Sequence, residues 1–371
     1  MKLKIQSQLL RDAINKLLSV VDKKNSRPIL TNCLLKTVNG KLEIIATDLE
    51  VSAKILLDAS IETQGSFCIN SKNIADILRE LPNDELLLSV DNQTSLLNLN
   101  CKNISYSLLI TSAEEFPQLS FQNQSTEFRL KTKQIAHIIN KTSHAISTDE
   151  TRLYLNGIYL QLTDSKLRAV AIDGHRLALL DTHEFIGENK YLHDGVIVPR
   201  KGISELKKIA DSYPDIDVSI SMDDSFMFVN ARDEYFLSIR LIAREYPKYQ
   251  TVIPSKTTNR FHIDRNAILN AVKRIKILSN EKTNGIKLNI KTDELIVSTN
   301  HPALGQANER LQIAYDGKAT EIGFNAKYLI ESLSVLNETD VTFEFNNELS
   351  PVVIKADDLP EFLGIIMPLK L

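Results

Sequence analysis

Asp173, Gly174 and His175 fall in one short stretch, and a histidine beside a carboxylate is the pair from which a hydrolase draws its general base. That chemistry also needs a nucleophile in reach, and no serine or cysteine accompanies the pair in sequence. The seven histidines are dispersed along the chain. None of the patterns GxxxxGK(S/T), GxGxxG, HExxH or GxSxG occurs, so no phosphate cradle, dinucleotide turn, zinc helix or nucleophile elbow is indicated. Cys33, Cys68 and Cys101 are odd in number and form no CxxC pair, which argues against both a disulfide framework and a zinc site. The expectation is a protein that binds rather than catalyses, with no cofactor and no metal.

The elements that would carry such binding recur along the chain. An alternating strand, a turn and a second strand ending in Asp or Asn begin at Asn32, Asn156 and Asn284, and the second strands reach Asp48, Asp173 and Asn300. An apolar strand running into a lysine-headed helix recurs at Lys72, Lys201 and Lys327. Each copy opens with a short strand and an amphipathic helix. The apolar stripes are Leu10, Ala13, Ile14, Leu17, Val21; Ile135, Ile138, Ile139, Thr142, Ile146; and Ile268, Ala271, Val272, Ile275, Leu278. Each copy closes on Phe116-Pro117, Tyr246-Pro247 or Met367-Pro368. Four patterns in one order predict three homologous domains, 1–126, 127–254 and 255–371, with polar linkers near 118–127 and 254–260. Two helices and many alternating strands per copy give an α+β fold with helices on one face of antiparallel sheets. In this arrangement Asp48, Asp173 and Asn300 share a turn-forming position, which leaves Asp173 no catalytic role.

Charge is segregated. The net charge of the chain is −3, yet the helical segments with their flanks carry +12, leaving −15 on strands and loops. Helices lining a concave face would attract phosphates without reading bases. Aromatic residues do not interleave with the lysines and arginines, which favours a duplex backbone over stacked single strands. No apolar run approaches the length of a membrane helix, and the start Met1-Lys2-Leu3-Lys4-Ile5 reads as a strand rather than a signal peptide, so a cytoplasmic protein is expected.

Several local stretches carry a family resemblance: Arg27-Pro28-Ile29-Leu30-Thr31-Asn32, Arg152-Leu153-Tyr154-Leu155-Asn156-Gly157, Asp173-Gly174-His175-Arg176-Leu177, Val198-Pro199-Arg200-Lys201-Gly202, Leu278-Ser279-Asn280-Glu281-Lys282 and Met367-Pro368-Leu369-Lys370-Leu371. With the three-copy layout, they resemble the β subunit of bacterial DNA polymerase III, the sliding clamps, from end to end. The resemblance implies two subunits closed head to tail into a six-domain ring around duplex DNA. It implies as partners the replicative polymerase α subunit, the clamp loader and repair polymerases, held by short peptide motifs, and no membrane.

The resemblance also implies three sites. A peptide pocket would be lined by Leu155, Gly174, His175, Arg176 and Leu177, together with Pro247, Val252, Ile365, Met367 and Pro368. A DNA track would use Lys24, Arg79, Lys141, Tyr154, Lys201, Lys273 and Lys282. A dimer interface would set Ile277 and Leu278 against Tyr106 and Leu108 of the other chain. Ile172 and Thr251 stand where the family often has Thr and Arg, and Asp149 where it often has Gln. Two other readings stay open at this point: a scaffold that never closes on DNA, and a hydrolase built around His175.

Overall fold

The structure, a computed structural model, describes residues 1–21, 27–91, 93–123, 125–187 and 189–370. A strand, a helix, a run of strands, a second helix and three more strands follow one another three times. The first copy carries α1 (Ser7–Leu17) and α2 (Ser71–Glu80), the second α3 (Thr132–Thr142), the single turn α4 (Tyr191–Asp194) and α5 (Arg200–Ser212), and the third α6 (Arg265–Lys276) and α7 (Ala326–Ser334). The helical stripes are buried as their period requires, but Val21, Ile146 and Leu278 lie beyond the helix ends. After α1 it is Val20, not Val21, that enters the core. Side chains cap three of the helices: Asn70 Oδ1 accepts from Asn73 N, Asp264 from Ala267 N and Asn325 from Lys327 N.

The chain packs as two compact units whose borders do not follow the repeat. The first unit comprises Met1–Ile135, Glu184–Tyr191 and Lys201–Leu241, and the second comprises Ala136–His183, Leu192–Arg200 and the chain from Ile242 onward. The middle copy therefore contributes to both.

In the first unit, an antiparallel five-stranded sheet ends at the edge strand Ile104–Leu109. Its nine-stranded sheet is continuous because strand Val51–Asp58 of copy one pairs with Tyr235–Arg240 of copy two, Val51 opposite Ile239. In the second unit, an eight-stranded sheet is continuous in the same way. Strand Arg176–Thr182 of copy two pairs with Phe362–Ile366 of copy three, Arg176 opposite Ile366. A four-stranded sheet ends at the edge strand Gly305–Gln312.

The pairing registers shift the sequence alignment by one residue. Asn32 lies opposite Asn70, Gly157 opposite Pro199 and Gly285 opposite Asn325, and each of these partners stands two residues before the recurring helix lysine. The structural counterparts of Asn32 are thus Gly157 and Gly285, not Asn156 and Asn284. The turn-forming position shifts in copy three as well. Asp48 Oδ1 accepts from Glu50 N and Val51 N, and Asp173 Oδ1 from His175 N and Arg176 N. In copy three the same service comes from His301, whose Nδ1 accepts from Ala303 N and Leu304 N, rather than from Asn300.

Candidate peptide pocket and interfaces

The turn after Ile172 is built to present side chains. Asp173 gathers two backbone N–H groups at 2.8 and 2.9 Å and takes Arg176 Nε at 3.0 Å. Gly174 has φ +93°, and a Cβ there would come within 2.9 Å of the Arg152 guanidinium, so this bend suits glycine. Leu49 adopts the same left-handed conformation, φ 75°, in copy one, where strain is accepted.

Around this turn the second unit brings several expected pocket residues together. Leu177 and Ile365 are buried opposite each other across the cross-copy pair, Met367 N donates to His175 O at 2.8 Å, and Val252 packs on the same apolar cluster. That cluster also contains Val170, Leu179, Ile197, Tyr246 and Tyr249, none of which was expected in the pocket, although Tyr246 was read as the close of copy two. Tyr159 stacks on Tyr246 with centroids 4.6 Å apart and planes 7° apart, a wall of aromatic surface. Leu155 is buried, Pro247, Met367 and Pro368 are half-buried, and Gly174 and His175 are exposed.

Arg176 does not face outward as a free polar group. Its side chain is 7% exposed, ion-paired to Asp173 and to Glu331 of α7, and its guanidinium lies 4.6 Å from the Tyr328 ring centroid. Tyr328 also stacks with His175 at 5.7 Å. The rim is thus clamped by α7, a contact more than 150 residues away that no local pattern announces. Beneath it His144 hydrogen-bonds Ser332 at 3.4 Å. Burial, with Arg176 adding repulsion, pushes its pKa down to about 3, so it stays neutral.

The expected DNA residues separate. Lys24 lies outside the described residues. Lys141 is turned inward, 2% exposed, donating to Val335 O at 2.8 Å and 3.6 Å from Glu338. Burial lowers its pKa, and it has no surface for phosphate. Tyr154 packs on the apolar cluster. Lys201 donates to Val20 O at 3.1 Å and pairs with Asp48. Arg79 is exposed and pairs with Asp76 at 3.0 Å, while Lys273 and Lys282 are exposed. Of the expected interface residues, Ile277 is 78% exposed just past α6, and Tyr106 is 36% exposed on its edge strand.

No helix among the described residues is long and apolar enough to cross a membrane. A repeated α+β fold whose copies are joined by strand-paired seams, with an aromatic-walled apolar cluster beside an exposed turn, defines a modular binding scaffold. Three domain families agree. The N-terminal, central and C-terminal domains of the DNA polymerase III beta subunit match residues 1–120, 129–248 and 250–370. The beta sliding clamp of Caulobacter vibrioides is 32% identical over the full length of both chains, and that of Pseudomonas putida 32% over 99% of each. The solved DnaN sliding clamp of Bartonella birtlesii, bound to griselimycin, superposes with a TM-score of 0.94 at 30% identity, all of both chains covered. The Caulobacter crescentus clamp, with PEG bound to its putative beta-motif tethering region, also gives 0.94, at 31% identity over all of both chains. The chain belongs to the DNA polymerase III beta subunit family, the bacterial beta sliding clamps.

Proposed function

We propose that two copies of this chain close head to tail around duplex DNA and hold other proteins on it through the pocket rimmed by Gly174 and His175. The protein is a non-enzymatic sliding clamp of DNA replication. It tethers the replicative polymerase α subunit, the clamp loader, repair polymerases and other carriers of short clamp-binding motifs, and so confers processivity. Its contact with DNA is sequence-independent, and its place of work is the cytoplasm. The chain is three tandem clamp domains, 1–126, 127–254 and 255–371, a division that cuts across the two packing units.

One observation carries the closure. Both seams between copies pair the strand after the turn in one copy with the last strand of the next, Val51–Asp58 with Tyr235–Arg240 and Arg176–Thr182 with Phe362–Ile366. That rule leaves one strand of each kind at a sheet edge, Gly305–Gln312 and Ile104–Leu109. Their union is heterologous, so it either closes or grows into a filament, and two copies suffice for a closed ring. Extending the register sets Leu108 opposite Gly305 and Tyr106 opposite Ala307. Tyr106 and Leu108 then occupy the places of Leu237 and Ile239, both 0% exposed. Exposed Ile277, with Leu278, supplies the apolar surface for them.

For DNA, the basic helical segments support weak, exchangeable contacts from Arg79, Lys273 and Lys282, with Lys24 in the same role. Lys141 is withdrawn from that set, and Tyr154 and Lys201 act by shaping their surroundings.

The test is retention on DNA circles. Protein loaded on nicked circles by a bacterial clamp loader with ATP should stay bound through gel filtration and be lost once the circle is cut. Equal retention on both forms would mean ordinary binding and would support the reading as an unclosed scaffold.

A further inference from the structure

We infer that each seam between subunits is fastened by a charge-free ladder, in which the carboxamides of Gln306 and Asn308 donate to the hydroxyls of the partner's Ser107 and the partner's Ser105. Closure is then indifferent to salt, while the grip on DNA is not. The inference deepens the closure proposed above and rests on it.

In the first unit, Leu97, Leu99 and Cys101 are buried, so Asn98 and Asn100 between them face the other side of the sheet. Ser107 and Ser105 of the edge strand lie opposite these asparagines and are exposed. Each hydroxyl is already committed as a donor. Ser107 Oγ donates to Asn98 Oδ1 and Ser105 Oγ to Asn100 Oδ1, both at 2.7 Å. A hydroxyl has one hydrogen to give, so what remains on each oxygen can only accept. On the edge strand of the second unit, Gln306 and Asn308 are exposed, and their side-chain amides make no hydrogen bond among the described residues. Each has two N–H donors to offer.

The register that sets Leu108 opposite Gly305 also sets the partner's Ser107 opposite Gln306 and the partner's Ser105 opposite Asn308. Residues so opposed have Cβ atoms about 4.5–5.5 Å apart, which a carboxamide and a hydroxyl can span with one hydrogen bond. The ladder runs on to Asn300 and Ser298 in one subunit, and to the partner's Asn98 and the partner's Asn100 in the other. The seams inside the chain hold other chemistry at these two places. In one, Ser238 meets Ser52 and Phe236 meets Lys54. In the other, Ile365 meets Leu177 and Leu363 meets Leu179. A continuous chain can seal its own seam with apolar packing. A seam between subunits faces water whenever they part, and uncharged polar groups suit both states.

The charges near the two edges are satisfied within the subunit. Strand Ile104–Leu109 carries none, and beside it Lys102 is held by Asp84 at 2.8 Å. On the other edge Glu309 is held by Arg274, and Arg310 by Glu294 at 3.1 Å. Lys72 is exposed and has no partner among the described residues. Its copy-two equivalent, Lys201, donates to Val20 O and pairs with Asp48. Leu278 takes the place of Val20, each donating its N–H to the carbonyl three residues back, and His301 takes the place of Asp48. Lys72 therefore meets a carbonyl and an imidazole across the seam, and no carboxylate. Salt screens only charges. It leaves the ladder alone and weakens the hold of Arg79, Lys273 and Lys282 on phosphates. Raising salt frees the ring along DNA without opening it.

The test is the dissociation constant of the full-length dimer, measured by sedimentation velocity. Between about 0.01 M and about 1 M salt the screening length falls from about 30 Å to about 3 Å, and the constant should change by less than about threefold. Gln306→Ala with Asn308→Ala should weaken the dimer at least about tenfold at every salt concentration, through the loss of neutral hydrogen bonds. Ser107→Lys with Gln306→Glu turns one rung into an ion pair, and salt should then weaken the dimer at least about fivefold. A native protein that stays monomeric throughout would overturn the closure and this inference with it. A native dimer that salt weakens beyond the stated limit, or that keeps its affinity without the two carboxamides, would overturn the ladder alone. A lysine–glutamate rung with the native salt response would mean that the two positions are not opposed, and would equally overturn it.

Discussion

The same sheet face occurs in copy one and copy two, under two different lids. In copy one Ile45, Cys68, Phe116 and Phe121 close over each other, and Lys54 lies 4.9 Å from the Phe121 ring and 4.3 Å from Phe236. The lysine stem and two phenyl rings seal that surface. In copy two Leu179 stands in the place of Lys54, the cover is tyrosine, and the adjoining turn is Gly174-His175 instead of Leu49-Glu50. One scaffold thus carries a sealed face in copy one and, in copy two, the face where we propose the pocket, by changing the lid and the turn and leaving the sheet as it is.

The largest expected effect comes from opening the seal. Phe121→Ala removes a ring that is 8% exposed and should cost about 3–5 kcal/mol in urea unfolding. Val252→Ala, on the half-buried lid of copy two, should cost much less. A similar cost for both would mean that the two lids are equally tight. Next come the turns. Gly174→Ala should destabilise by about 1–2 kcal/mol because φ +93° is hostile to a Cβ, whereas Leu49→Gly should stabilise by up to about 1 kcal/mol. If both substitutions shift stability in the same direction, the turns are not equivalent. His175→Ala should weaken binding of a clamp-motif peptide roughly tenfold, about 1.4 kcal/mol, with the dimer mass unchanged. An unaltered affinity would remove His175 from the rim.

Acidification should separate the two units. All seven histidines lie in the second unit. His144 is held near 3 when folded, against about 6.5 in the unfolded chain. Between those values the unfolded state binds a proton that the folded state does not, so stability falls as pH drops from about 6.5 toward 3. Hydrogen exchange should show the second unit loosening first on acidification, and His144→Gln should flatten that slope.

Much of this was readable beforehand, because a repeat exposes itself through period and order. The helical stripes, the three-fold succession and the turns at Asp48 and Asp173 follow from alternation and turn chemistry, while the pocket residues came from the family resemblance. The register did not: aligning on asparagine placed copies two and three one residue off, since a strand position is fixed by its partner across the sheet. Lys141 read as a surface cation because nothing near it in sequence tells of Val335 and Glu338. Tyr328 and Glu331 escaped notice for the same reason, as did the strand exchange between copies.

That exchange has a cost for the lone subunit. Among its edge strands it presents Ile104–Leu109, bearing exposed Tyr106 and Leu109, and Gly305–Gln312, and unpaired edges are templates for aggregation. The other edge is guarded by charge, Glu309 held to Arg274 and Arg310 to Glu294. If two copies close as proposed, dilution should therefore threaten solubility as well as function, and a shortage of this protein would lead to clumps of monomer before it led to a lack of rings.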